Sequence, residues 1–323
     1  MDVNPRMIRT CSILGQRGSV GVAMLDLARR DERIIALVAD VGSPSGLDRL
    51  SAELPAQFMN VGIAEQNMIG VAAGLAAGGH IPFAFTLANF AAMRACEQVR
   101  HFMGYMKENV KLVGFGGGFA MGMFGNTHYG VEDIGALRSI EHLVMLSPAD
   151  GLSAAKAVES AANIDAPVYI RLTGLINTPI VYAEDYDFKI GKAFRLKEGK
   201  DVAVISAGVV TANALKAAEI LEKDHGVSAT VIDMSTLKPI DEDMMREIGG
   251  VGLIATVEEH NIIGGLGSAV SEYLAARDDP MPILRIGVTG GYLPAGDYAY
   301  KIEQYGLDPA SIANKIMAKY GSA

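Results

Sequence analysis

The chain has 323 residues, half of them hydrophobic, and a formal net charge of −9. This length points to two domains rather than one, each able to bury a substantial core, and the acidic balance without any Lys/Arg cluster excludes a protein that grips nucleic-acid backbones. No apolar run reaches the ~20 residues of a spanning helix, the N-terminus lacks a signal-peptide core, and two cysteines, Cys11 and Cys96, make neither a disulfide framework nor a metal spacing, so a reduced, cytoplasmic setting is expected.

Short apolar runs at 34–39, 81–85, 110–115, 142–146 and 167–172 read as buried strands separated by helical stretches. The segment 58–79, FMNVGIAEQNMIGVAAGLAAGG, reads as a short strand, a tight turn at Gly62 and a helix opened by Glu65. Its small residues, Gly70, Ala72, Ala73, Gly74, Ala76 and Ala77, predict close packing against another backbone, with Glu65 at a buried junction. A first-turn carboxylate is otherwise an ordinary partner of the helix dipole. One helix over 89–106 would place Phe90, Met93, Val99, Phe102 and Met106 on one face, a pattern typical of core.

A polar stretch at 184–200 marks the expected boundary between domains 1–185 and 186–323. Beyond it, strand-like runs at 202–206, 228–233, 252–257 and 283–287 alternate with helices near 211–223, 241–248 and 266–277. Both halves therefore read as α/β, with mainly parallel sheets flanked by helices, and ligands in such folds sit at the carboxyl ends of the strands. The glycine runs 116–118 and 264–267 lack the full dinucleotide fingerprint. Gly264, Gly265 and Gly267 read instead as a turn and close packing at a helix start.

The run NVGIAEQNMIGVAAGLA resembles the catalytic-glutamate motif of transketolases and deoxyxylulose-phosphate synthases. LRSIEHLVMLSPAD (137–150) and VEEHNIIGGLGSAVSEYL (257–274) are similar to further segments of the same enzymes, so the resemblance spans nearly the whole chain as a pyrimidine-binding plus a C-terminal domain. It implies thiamine diphosphate as cofactor. It also implies that Glu65 bonds the pyrimidine N1′ and favours the imino tautomer whose nitrogen takes the C2 proton, with burial raising the carboxyl pKa. Phe90 matches an aromatic of the pyrimidine pocket, Leu87 stands where the family usually has Phe, and Asp40 matches an acidic residue near the cofactor, although a strand-end Asp is equally a turn residue. His128, in GNTHYG, matches a histidine that bonds reacting sugar oxygens. Arg17 and Arg171 align with arginines that grip the sugar phosphate.

Family members hold Mg²⁺ through a GDG motif and a downstream Asn. No GDG occurs here. The resemblance therefore implies a partner subunit that carries the diphosphate domain and supplies the Mg²⁺ ligands, most simply in an α2β2 assembly, with no metal ligand from this chain. Where the family has polar substrate-reading residues, GFGGGFAMGMFG (114–125) places Gly116, Gly117 and Phe124. Ketose hydroxyls left unpaired there would be strongly disfavoured, which points to ketol transfer from a branched, modified or sulfonated ketose to an aldose phosphate. The alternatives are a β subunit of the first component of a 2-oxoacid dehydrogenase and a non-catalytic scaffold subunit.

Overall fold

A computed structural model describes residues 3–278, 281–292 and 294–321. Among these residues, β1 (Ile34–Val38), β2 (Phe58–Asn60), β3 (Ile81–Leu87), β4 (Lys111–Gly117), β5 (Val144–Leu146) and β6 (Val168–Thr173) belong to one sheet. A second sheet is built from β7 (Phe194–Lys197), β8 (Val202–Ala207), β9 (Ala229–Asp233) and, after a short β10 (Thr236–Lys238), β11 (Leu253–Asn261) and β12 (Ile283–Val288). β10 does not join its sequence neighbours. It pairs antiparallel with β5, so the first sheet runs β10-β5-β6-β4-β3-β1-β2 and the second β12-β11-β8-β9-β7. Apart from β10–β5 and β7–β9 the ladders are parallel.

Parallel strands covered on both faces must be apolar throughout, and β1 shows it: Ile35 and Leu37 enter one core, Ile34, Ala36 and Val38 the other. The chain goes from β1 to β2 on one side and then to β3 on the other. That reversal of strand order leaves a crevice at the carboxyl ends of β1 and β3.

The first helix, Pro5–Arg30, is capped by Asn4, whose Oδ1 accepts the Met7 N–H at 3.0 Å. It is interrupted at Gly15, where φ is 66° and a Cβ would lie 2.2 Å from the Leu175 carbonyl oxygen, so only glycine fits. The interruption turns Gln16 inward, donating to the Pro148 carbonyl at 2.6 Å and accepting from the Thr173 N–H at 2.7 Å, while Arg17 faces the crevice.

Two expectations are corrected here. The segment 89–106 is not one helix but Ala88–Met93, Cys96–Gln98 and a wide-turn π segment Val99–Tyr105. Its apolar residues therefore do not share a face: Val99 is buried while Met93 and Met106 are 54% and 48% exposed. The polar stretch 184–200 is anchored: Tyr186 stacks on Tyr182 at 3.8 Å, Phe188 is buried and Phe194 starts β7. Finally, the small-residue helix Glu65–Ala77 buries Ala72 and Ala73, but a Cβ at Gly74 would meet nothing within 4 Å, so that side of the helix is open within this chain. Among the described residues no helix is long and apolar enough to cross a membrane.

Candidate active site

Asn60, the last residue of β2, organises the approach to Glu65. Its Oδ1 accepts from the backbone N–H of Asp40 at 3.1 Å and of Gly62 at 2.9 Å, and its Nδ2 donates to Asp40 Oδ1 at 3.2 Å. Asp40 has φ 57°, a left-handed turn that Asp tolerates better than most residues, so it is a strand-end turn residue tied to Asn60. At Gly62, φ is 78°, and the chain then enters the helix with Glu65 as its first residue.

The Glu65 side chain is 7% exposed, and its Oε1 accepts a 2.9 Å hydrogen bond from Arg94 Nη1. Arg94 closes the Ala88–Met93 helix four residues after Phe90, and its guanidinium carbon stands 3.4 Å from the centre of the Phe90 ring. On the loop after β4, the His128 ring lies 5.5 Å from Phe90 and 5.3 Å from Phe124. That loop is pinned by Asn89 Nδ2 donating to the Thr127 carbonyl at 2.6 Å, and Thr127 Oγ1 sits 2.9 Å from His128 Nδ1. With Nδ1 engaged, Nε2 is the nitrogen left to meet a ligand. The result is an unbroken run of contacts from Glu65 through Arg94 and Phe90 to His128.

His128 opens onto a cavity of about 700 Å³ at the crevice, shared with Arg17, Leu87, Met121, Phe124 and Ile176. Arg17 Nη1 donates to the Pro44 carbonyl at 3.1 Å, and partial burial draws its pKa below the ordinary arginine value. Phe124 is 67% exposed at the mouth. The two glycines expected beside it lie elsewhere: Gly116 packs under Met121 and Leu87, and the Cα of Gly117 faces Arg171, whose Cγ would be 3.1 Å from an added Cβ.

Arg171 is likewise not part of the cavity. It is fully buried, with Nε 2.8 Å from Asp133 Oδ2 and Nη2 donating to the carbonyls of Gly130 at 2.6 Å and Glu259 at 2.9 Å. A guanidinium committed in this way has no face for a sugar phosphate, which corrects the expectation for this residue. Behind the cavity, Glu259 accepts from the Phe119 N–H at 2.6 Å and from Tyr298 Oη at 2.7 Å, fastening the His128 loop to β11. Glu258 accepts from the N–H groups of Leu266 and Gly267 at 2.7 and 2.8 Å, at the start of the Leu266–Ala275 helix. Burial pushes both carboxyls up to about 7 and pushes His260 down to about 4. The VEEHNIIGGLGS run is thus a seam between the halves. Sequence reasoning missed Asn60 and Arg94; the only hint for Arg94 was its place four residues after Phe90, since its ion pair spans 29 positions.

Comparison with known proteins matches residues 15–175 to the transketolase pyrimidine-binding domain and 191–312 to the transketolase C-terminal domain. The 6-deoxy-6-sulfo-D-fructose transketolase subunit SqwH of Clostridium sp. strain MSTE9 is 39% identical over 90% of this chain and 89% of its own. An apulose-4-phosphate transketolase subunit of Phocaeicola vulgatus is 37% identical over 95% and 97%. Among solved structures, a split-gene transketolase described as an inactive beta4 tetramer is 38% identical, with a TM-score of 0.85 covering 95% of this chain and 98% of that one. With domain models along most of its length and full-length relatives above 30% identity, the chain belongs to the transketolase family, as a subunit that unites its pyrimidine-binding and C-terminal domains.

Proposed function

We propose that this transketolase subunit uses Glu65 to activate thiamine diphosphate, and that the cofactor's charged end is held by Mg²⁺ ligands on a partner subunit. When present, thiamine diphosphate supplies the carbon acid and electron sink for moving a two-carbon ketol unit. The reading rests on one observation, the contact run from a buried carboxylate past an aromatic face to a histidine on a cavity. The chemistry of these residues fits the cofactor: the Glu65 carboxylate would hold a proton at the pyrimidine N1′, and the Phe90 ring would give the pyrimidine an apolar face. Leu87 and Asp40 would border the same pocket, Leu87 from the cavity wall and Asp40 through Asn60. His128 Nε2 would meet a reacting sugar oxygen, and Arg17 the anionic end of the substrate.

Substrate choice follows from the wall. Met121, Phe124 and Ile176 give the cavity apolar surface where hydroxyls of an ordinary ketose would be left unpaired. Relatives named for a sulfofructose and for apulose 4-phosphate support a modified ketose, and transketolase subunits rather than 2-oxoacid dehydrogenase components recur among them. Ketol-transfer assays across ketose phosphates and sulfonates, with the cognate partner present, should show turnover of a branched or sulfonated donor at least tenfold above xylulose 5-phosphate. A clear preference for xylulose 5-phosphate would overturn the substrate reading. The domain limits 1–185 and 186–323, an α2β2 stoichiometry and a cytoplasmic location belong to the same proposal.

A further inference from the structure

Arg94 makes two contacts at once. Its guanidinium is a flat cation that lies 3.4 Å from the Phe90 ring centre while donating to Glu65 Oε1 at 2.9 Å. An aminopyrimidine seated on Phe90 with a ring nitrogen at Glu65 would need the same aromatic face and the same carboxylate. Stacking of guanidinium on an aromatic plane is geometrically close to stacking of a flat heterocycle. On that reading the guanidinium and the ring compete for one seat. The Arg94 side chain is 47% exposed, so it can leave toward solvent, and among the described residues it makes no hydrogen bond besides the one to Glu65.

We propose that Arg94 is a stand-in for the cofactor ring: it holds the Glu65 carboxylate in place, and it swings off Phe90 when thiamine diphosphate takes its place. The assignment rests on the reading of Glu65 and Phe90 as the pyrimidine seat. A Phe–Arg pair four apart on a helix is by itself ordinary packing, and what distinguishes this one is that the same guanidinium also occupies the buried carboxylate. Two consequences follow. The cofactor has to displace a half-exposed ion pair and a cation–π contact, each a modest interaction, so affinity is lower than the seat alone would give. Lysine could keep the charge but not the flat stacked geometry.

The test is thiamine diphosphate binding, measured by titration calorimetry at fixed Mg²⁺ and ionic strength on the complex assembled with its cognate partner. Arg94→Ala should bind about tenfold more tightly than the unaltered complex, and Arg94→Lys should fall between them. Crystal structures of the complex with and without the cofactor should show the guanidinium off the Phe90 ring in the first and on it in the second. Equal or weaker binding by Arg94→Ala, or a guanidinium still stacked on Phe90 with cofactor bound, would overturn the proposal. Glu65→Gln separates the two layers: if that variant turns over normally, the reading of the seat fails, whereas its inactivity together with unchanged binding in Arg94→Ala discards the stand-in alone.

Discussion

Arginine appears three times around this crevice, and its surroundings give it three different roles. Arg17 lines the cavity, Arg94 sits on a ring and a carboxylate, and Arg171 is walled in with Asp133. The last case could be anticipated in part, because an arginine inside the apolar run PVYIRL needs a buried counter-charge; its partner 38 positions away could not be read from local pattern. Removing one member of a buried pair leaves the other uncompensated, at a cost of about 3–5 kcal/mol. Arg171→Met should therefore lower the urea unfolding free energy by about that amount. A stable variant with a raised KM for sugar phosphate would instead restore a phosphate-binding role. Glu65 was singled out from a long motif and His128 from the short run GNTHYG, whereas Asn60 was not singled out although it stands in the Glu65 motif.

At the scale of elements, strands buried on both faces announced themselves as continuous apolar runs, so β1, β3, β4, β6, β8, β9 and β11 fall within a few residues of expectation, as does the half-buried β12. β10 did not, since three residues pairing with β5 from the other half of the sequence leave no local signal. Periodicity also failed over 88–105, where the helix ends at Met93, Arg94 caps it beside Glu65 and a π segment follows. The seam around β9 and β11 carries a pH signature. Burial raises Asp233, Glu258 and Glu259 to about 7 from ordinary values of 3.8 and 4.5. In the window between those values the folded chain holds protons that the unfolded chain has released, so these groups make stability fall as pH rises toward 7. His260, lowered to about 4, acts in the opposite sense between 4 and 6.5, but it is one group against three. Chemical denaturation should give an unfolding free energy lower at pH 7.5 than at pH 5, by about 1–3 kcal/mol. A flat or rising profile would show that the seam carboxyls are ionised in the fold.

Taken as a whole, the two halves are joined in several ways. β10 extends the first sheet, Tyr182 Oη donates to Asp233 at 2.7 Å, and Arg171 and Glu259 tie β6 and the His128 loop to β11. The proposed site, by contrast, is read as shared with a partner subunit. In that proposal Glu65, Phe90, His128 and Arg17 line the ring seat and the substrate cavity. The anchoring of a diphosphate is assigned to the partner because of the missing GDG motif, a feature of the sequence rather than of the fold. The most direct measurement mixes separately purified chain and GDG-bearing partner with thiamine diphosphate and Mg²⁺ and follows ketol transfer. Activity should appear only on mixing and should drop by several orders of magnitude with Glu65→Gln although the complex still assembles; turnover by this chain alone, or near-normal rates from the Glu65→Gln complex, would contradict the account.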